Sequence, residues 1–169
     1  VEAAHTVCAD DVGVEDVLAG LADLVDRSMI VAEHRQQETR YRMLSTLREF
    51  AADRLAGSAD TAEQRGRHAQ FYADLAGAAE PGLRTAEEAT WVTRLNADFD
   101  NMRAAHLWAM ENADVDLDAR LLVALWEYGL QRLSAEYFRW VEEAFENLRF
   151  DDHPLAADLA GVAALGAWQ

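Results

Sequence analysis

Residue types that often carry out chemistry are present in this sequence, but they are widely separated. A zinc site needs clustered His, Cys or acidic ligands, and the histidines show no H-x-x-x-H pair. His106 lies on a mostly apolar helical stripe, so we interpret it as a core or boundary residue rather than a ligand. We expect His153 to cap a helix. The histidines are His5, His34, His68, His106 and His153.

Nucleophilic catalysis would require a Ser or Cys beside a base. No serine lies in a recognised nucleophile elbow, and Cys8 follows an apolar helical segment, which predicts a small buried residue. Neighbouring acids on a helix do not face each other, so the acidic pairs are better explained as solvated faces and first-turn residues. The sequence therefore predicts no catalytic residue and a non-enzymatic chain. These pairs are Glu87–Glu88, Glu142–Glu143 and Asp151–Asp152.

Cofactor binding is also not predicted. Phosphate sites need a glycine-rich loop that leads into a helix N-terminus, but the 9 glycines are scattered. All 15 basic residues are Arg, so a P-loop lysine, a Schiff-base lysine and a kinase lysine are excluded. We therefore expect no cofactor-binding and no metal-binding residue in this chain.

The tryptophans could suggest a ligand-binding box, but each lies in a predicted helix close to an apolar stripe. Packing in the core or between helices is the stronger interpretation. The tryptophans are Trp91, Trp108, Trp126, Trp140 and Trp168.

Composition and charge restrict the class of protein. The chain has 169 residues, of which 51% are hydrophobic and 27% charged, as in a globular protein. Its net charge of −16 repels phosphate backbones, so direct binding to nucleic acid is not expected. The longest apolar run, Leu121–Trp126, is too short to span a bilayer, and the single Cys8 suits a reducing compartment. We expect a soluble cytoplasmic protein with no membrane partner.

The N-terminal elements follow the order helix, helix, hairpin, helix, and the short first helix is predicted at Val1–Ala9. Val14–Arg27 has apolar residues at helical spacing, and Met29–Glu33 and Thr39–Met43 form a predicted hairpin around a turn at His34–Glu38. Thr46–Leu55 is a predicted helix. This is the order of a winged helix whose first helix is missing, so we expect a fragment of a longer protein.

A helix cap and an exposed apolar face are also predicted for this domain. Thr46 and Glu49 have the T-x-x-E spacing of a capping box. The missing first helix leaves an apolar face that we expect to be exposed, so self-association into a homo-oligomer is a further expectation. The predicted core residues are Leu21, Leu24, Leu47 and Phe50.

Only helices are predicted after Gly57–Asp60, where we place the boundary between domains 1–57 and 58–169. A second T-x-x-E box, Thr85 to Glu88, is predicted to begin a long helix anchored by Phe99 and Met102. Asp151–Pro154 is predicted to begin the last helix. Helix pairs joined by short turns indicate the start of a tetratricopeptide-like array. The predicted fold class is thus mostly α, with a partial winged helix and small β-hairpin followed by an antiparallel helical array.

A winged helix invites a test for DNA recognition. Val14–Arg27 would be the recognition helix, yet Glu15, Asp16, Asp23 and Asp26 make it acidic, which repels phosphate. The hairpin is more favourable for DNA binding because it contains basic residues, although Glu33 and Glu38 flank them. A structural or intramolecular role is the stronger interpretation. The basic hairpin residues are His34, Arg35, Arg40 and Arg42.

Five strings spread along the chain carry a resemblance to a known family, and the resemblance covers nearly the whole chain. They are LADLVDRSMIVAE (Leu21–Glu33), RYRMLSTLREFAADRL (Arg40–Leu55), RGRHAQFYADLA (Arg65–Ala76), LNADFDNMRAAHLWAM (Leu95–Met110) and RWVEEAF (Arg139–Phe145). The chain resembles the actinobacterial transcriptional regulators built on a STAND-type ATPase, either LuxR-type or linked to an adenylate-cyclase-like domain.

The resemblance implies a domain order of ATPase module, winged helix and tetratricopeptide-like helices. It implies that ATP and Mg²⁺ bind in a module outside this chain, since no ATP-binding or DNA-binding residue of the family maps onto it. The expected function is a non-catalytic regulatory segment that couples the ATPase module to a helical sensor array. The expected partners are that module and a protein or small-molecule effector. The alternatives are a DNA-binding winged-helix fragment and a helical ligand-binding or enzyme domain.

Overall fold

The computed structural model describes residues 1–8, 13–35, 38–58, 60–132 and 134–166, and the side chains of Arg35 and Glu38 are not described. The chain divides into two compact units, Val1–His68 and Ala69–Gln169. The predicted fold class is confirmed: the chain is mostly helical, with a two-stranded antiparallel hairpin followed by a helical array. No helix in the described ranges is long and apolar enough to cross a bilayer. The predicted turn residues 36–37 and Trp168 lie outside those ranges.

The first unit contains two short helices, the hairpin and a third helix. In chain order these are α1 (Glu2–Cys8), α2 (Val14–Asp26), β1 (Ile30–Arg35), β2 (Glu38–Met43) and α3 (Ser45–Ala56). In the antiparallel register Ile30 lies opposite Met43 and Ala32 lies opposite Tyr41. β1 thus continues two residues beyond its predicted end at Glu33 because its pairing with β2 reaches Arg35.

A Schellman motif ends α2. Ser28 N–H donates to Val25 C=O at 2.8 Å, and Met29 N–H donates to Leu24 C=O at 2.9 Å. The motif requires a left-handed residue, and Ser28 adopts φ 57°. Glycine is the usual residue at this position because it has no Cβ, so Ser28 is strained here.

The predicted core of this unit is partly wrong. Phe50 is 57% exposed, and Leu21, Leu24 and Leu47 are half-buried. The reason is that α3 has its apolar residues spread around the helix, so no single face of it is apolar. Among the described apolar side chains of Val1–His68, those that are buried are Val17 and Ile30.

Both predicted capping boxes are wrong. α3 begins at Ser45, so its N-cap is Leu44, which has no side-chain oxygen, and Thr46 already lies in the first turn. The long helix begins at Glu88 with Glu87 at its N-cap. Thr85 instead ends the preceding 3-10 turn, where its Oγ1 donates to Gly82 C=O at 2.9 Å and accepts from Glu87 N–H at 3.2 Å.

The second unit is an array of packed helices. It starts within α4 (Thr61–Ala79) and continues through the 3-10 turn Glu80–Arg84 to α5 (Glu88–Asn112), α6 (Val115–Arg132), α7 (Ala135–Asn147) and α8 (Ala156–Gly166). α6 contacts α5, α7 and α8, and α7 also contacts α5 and α8. The start of α8 was predicted at Asp151–Pro154, which is wrong because those residues form turns before Ala156. His153 Nδ1 accepts from Leu155 N–H at 3.2 Å in that turn.

Small residues allow close approach between helices of the array. A Cβ placed on Gly129 of α6 would lie 2.2 Å from Cδ1 of Tyr137 on α7, so only glycine fits. Tyr137 is fully buried and its hydroxyl donates to Leu122 C=O at 2.7 Å. Burial raises the pKa of this phenol above its ordinary value. The predicted anchor Met102 is fully buried, and Phe99 is half-buried against Trp140.

Candidate functional site

A histidine–aspartate pair lies inside the second unit. The residues His106 on α5 and Asp118 on α6 are fully buried, and His106 Nδ1 lies 2.7 Å from Asp118 Oδ1. Helix geometry places them there. His106 falls on the stripe of α5 that contains Met102 and Ala109, and Asp118 is one turn before Leu121 and Leu122 on α6. The expected core position of His106 is confirmed.

The electrostatics of Asp118 are set by its burial. Desolvation raises the pKa of its carboxyl group above the ordinary value, because the charged form loses its hydration. The hydrogen bond and charge of His106 act in the opposite direction, and Asp114 adds a smaller upward contribution. The net direction is upward.

Helix α7 lies against one face and the Nε2 edge of the His106 ring. The Trp140 ring stacks on His106 with centroids 5.3 Å apart and planes at 17°. Glu143, one turn further along α7, places Oε2 3.8 Å from His106 Nε2. That distance is too long for a hydrogen bond. Within the described part of the chain, His106 Nε2 and Asp118 Oδ2 are buried without a hydrogen-bond partner.

An ion pair joins α5 to α7 one turn before this cluster. Arg103 contacts the Glu136 carboxylate through two nitrogens, with Nη2 at 3.1 Å from Oε2, and its guanidinium also pairs with Asp100. The hydrogen bond from Arg103 lowers the pKa of Glu136 below its ordinary value. The pKa of Arg103 is raised by the same bond. The Arg103 guanidinium also lies 5.7 Å from the Phe99 ring centroid.

The arrangement can hold helices together and exchange a proton, but it cannot reach a substrate. An Asp–His pair orients a general base when the second ring nitrogen faces a reactant. Here that nitrogen is fully buried and Trp140 covers the ring. Among the residues that the structure describes, no group of three or more His, Cys, Asp or Glu could hold a metal ion.

The other residues considered for chemistry do not join this cluster. Cys8 is exposed, so its predicted burial is wrong: it ends α1, and none of the described α1 residues is buried. Packing is confirmed for Trp140, which is buried between Phe99 and His106. Three further tryptophans are half-buried, namely Trp91, Trp108 and Trp126.

The surfaces considered for DNA carry acidic groups beside their basic ones. Glu15 and Asp16 are exposed in the first turn of α2. The Arg27 Nε lies 2.8 Å from the Asp23 carboxylate. In the hairpin, Arg42 pairs with Glu33 at 3.2 Å. The net field of α2 therefore opposes a phosphate backbone.

An open groove lies between the end of α7 and the start of α8. Its volume is about 640 Å³, and Phe145, Phe150 and three alanines contribute apolar surface. Glu146, Arg149 and Asp151 give it charge of both signs. Such a mixture suits an amphipathic ligand or peptide more than a purely apolar one.

Sequence reasoning missed Asp118 as the partner of His106. Asp118 lies in the first turn of α6, where the helix dipole favours carboxylates and offers a sufficient local explanation for it. A usable signal was present, since Asp118 precedes Leu121, Leu122 and Leu125 by three, four and seven positions. That spacing places it on the buried stripe of α6.

Comparison with known proteins gives one group of relatives. The chain is 33% identical over 162 residues to a protein of Mycobacterium bovis and to proteins from two strains of Mycobacterium tuberculosis. Each is named "Putative HTH-type transcriptional regulator". The match covers 90% of this chain and 18% of each relative, so the chain spans under a fifth of their length. No family model matches the chain. No solved structure matches it.

Proposed function

We propose that this chain is a non-catalytic regulatory and interaction segment of an HTH-type transcriptional regulator. The observation that carries the proposal is the match of 90% of the chain to an 18% portion of three such proteins. A segment that is similar along nearly its whole length, inside a much longer regulator, is one module among several. The full burial of the His106–Asp118 pair supports a structural role.

Docking of the first unit onto another module follows from its exposed apolar residues. α2 exposes Val14 and Leu18, the hairpin exposes Val31, and α3 exposes Phe50. A group of exposed apolar side chains is typical of an interaction surface. In the STAND-type arrangement that the sequence resembles, the partner is the ATPase module, which supplies the ATP and Mg²⁺ site. The segment then couples that module to the helical array.

Recognition of an effector is assigned to the helical array. The groove between α7 and α8 offers apolar surface from Phe145 and Phe150 together with the charged Arg149. A protein or small-molecule effector bound there would contact both helices. Binding of the effector would shift the equilibrium between conformations of the array within the regulator.

A chimera tests this function. The matching portion of the M. tuberculosis relative is replaced by this chain, and transcript levels are compared with those of the deletion strain. We expect the chimera to restore the transcripts that the relative controls. Leu18→Glu and Phe50→Glu should abolish this restoration because a charge on the docking surface must be desolvated. Leu165→Glu, at another exposed leucine, is the matched control.

Binding and activity of the isolated chain separate the alternatives. We expect neither ATP hydrolysis nor salt-dependent binding to random duplex DNA in fluorescence anisotropy, since α2 repels phosphates. Hydrolysis by the purified chain would overturn the non-catalytic assignment. Binding that weakens steeply with added salt would instead favour the DNA-binding winged helix.

A further inference from the structure

One histidine ring in the array has a carboxylate at each of its two nitrogens, and each carboxylate comes from a different helix. Asp118 of α6 lies 2.7 Å from Nδ1, and Glu143 of α7 lies 3.8 Å from Nε2. The ring belongs to α5, so this small cluster spans three helices that also pack against each other. Its two edges are not equivalent, because Nδ1 is within bonding distance and Nε2 is not.

The number of protons on the His106–Asp118 pair decides whether Nε2 is a hydrogen-bond acceptor or a donor toward α7. When Asp118 is ionised and His106 is neutral, the single ring proton sits on Nδ1, in the short bond. Nε2 then points a lone pair toward the Glu143 carboxylate, and two acceptors face each other. This state agrees with the 3.8 Å separation and with the absence of a hydrogen-bond partner for Nε2 among the described residues.

Adding one proton to the pair changes Nε2 from a hydrogen-bond acceptor to a donor. The pair then holds two protons, one in the bond between Asp118 and Nδ1 and one on Nε2. This holds whichever of the two groups keeps the proton in the short bond. In either form Nε2–H is a donor that faces the Glu143 carboxylate, and a charge-assisted hydrogen bond can form when the two atoms approach to about 2.8 Å.

We propose that the buried His106–Asp118 pair is a proton-operated latch between α5 and α7, closed when a proton on Nε2 is donated to Glu143 and open when that nitrogen is bare. Closing requires Glu143 Oε2 to move about 1 Å toward the ring, a change that one side-chain rotation supplies. The latch uses only residues of this chain.

Two observations support uptake of the proton at this site. Burial raises the pKa of Asp118, which shows that the interior disfavours a bare negative charge on the pair. Glu143 is 45% exposed, so its carboxylate connects a fully buried nitrogen with solvent and gives the proton a route.

Several other charged groups on or beside the packed helices are engaged elsewhere. On α5 and α7, Arg103 is paired with Glu136. Just before α6, Asp114 accepts from Leu117 N–H at 3.1 Å. Before α8, His153 lies 3.5 Å from the Asp116 carboxylate. Glu143 is therefore the group in position to receive the proton of Nε2.

Nuclear magnetic resonance of the full chain tests the latch. The two ring nitrogen shifts of His106 report the proton on Nε2 directly, and we expect that proton to appear as the pH is lowered. Glu143→Gln should move the midpoint to lower pH, because it removes the negative charge that stabilises Nε2–H. Glu142→Gln, at the exposed neighbouring glutamate, is the matched control and should leave the midpoint unchanged.

Hydrogen exchange supplies a second readout that a purely structural pair would not change. With the intrinsic pH dependence of exchange removed, the amides of α7 should open about fivefold less often at pH 5.5 than at pH 8, the effect of one added hydrogen bond. Glu143→Gln should reduce this difference, because a neutral amide oxygen accepts a weaker hydrogen bond than a carboxylate, and Glu142→Gln should keep it. The latch is overturned if Nε2 gains no proton in this range in the wild-type chain, a result that needs no variant to fold. It is equally overturned if the two glutamate variants titrate alike.

Discussion

Phe50 of α3 and Leu122 of α6 are both large apolar residues on helices, yet Phe50 is 57% exposed and Leu122 is fully buried. They represent the two units. In Val1–His68 the described apolar residues that are buried are Val17 and Ile30, whereas the buried stripes of α5, α6 and α7 in Ala69–Gln169 interlock. The helical array thus makes its own core, and the helix–hairpin unit leaves much of its apolar surface exposed.

Truncating a leucine in each unit gives the largest expected contrast. Leu122→Ala in α6 should lower the free energy of unfolding by about 2–5 kcal/mol, since it leaves a cavity in a packed core. Leu18→Ala in α2 should change it by less than about 0.5 kcal/mol, because Leu18 is largely exposed. Urea unfolding monitored by circular dichroism measures both. Equal losses would show that the two units share one core, contrary to the comparison.

Glycine-to-alanine changes probe the array itself. Gly129→Ala should destabilise it by roughly 1–3 kcal/mol, because the new Cβ would overlap the Tyr137 ring. The same change at exposed Gly161 in α8, where a Cβ meets nothing within 4 Å, should stabilise by about 0.5–1 kcal/mol through helix propensity. Thermal unfolding gives the sign of each. A gain at Gly129 would mean that α6 and α7 are not in such close contact.

Some helix starts could be predicted from sequence because they depend on local spacing and turn residues. α2 begins at its predicted first residue, Val14, and α3 begins at Ser45, next to its predicted first residue. The predicted burial of Phe50 is wrong because the apolar residues of α3 are spread around the helix and share no single face. The T-x-x-E pattern likewise indicates a cap only if the helix begins at that Thr, and at Thr46 and Thr85 it does not.

The His106–Asp118 pair shows a different limit. Each residue had a sufficient local explanation, His106 as a stripe residue and Asp118 as a first-turn acid. Only the crossing of α5 and α6 brings the two side chains to 2.7 Å. The contact of Glu143 with the same ring depends on a third helix, which the sequence alone does not position.

Strong acid should break the Arg103–Glu136 ion pair between α5 and α7. The folded pKa of Glu136 is lowered by Arg103, so its contribution is present above the ordinary glutamate value of about 4.3 and is lost as pH falls through the folded value. Because both side chains are about one-third exposed, Glu136→Gln should cost at most about 1 kcal/mol at pH 7. The deficit should vanish near pH 2 in urea unfolding. A constant deficit would contradict the ion pair.

The smallest effects are expected at two Schellman motifs, one in each unit. Ala113 ends α5 at φ 52° and Ser28 follows α2 at φ 57°, both in the left-handed region that Cβ atoms disfavour. Replacing either residue by glycine should stabilise its unit by a few tenths to about 1 kcal/mol, since relief of strain is offset by the entropy of glycine in the unfolded chain.

Ser28→Gly and Ala113→Gly each place a glycine at a left-handed residue, so their effects can be compared between the two units. If the units unfold separately, Ser28→Gly should delay exchange of the amides in α2 and the hairpin, and Ala113→Gly should delay exchange in α5 and α6. Native-state hydrogen exchange resolves these regions. If both variants slow amide exchange equally in all helices, unfolding is one cooperative event. The exposed residues of the first unit would then not mark a separate, weakly stabilised module.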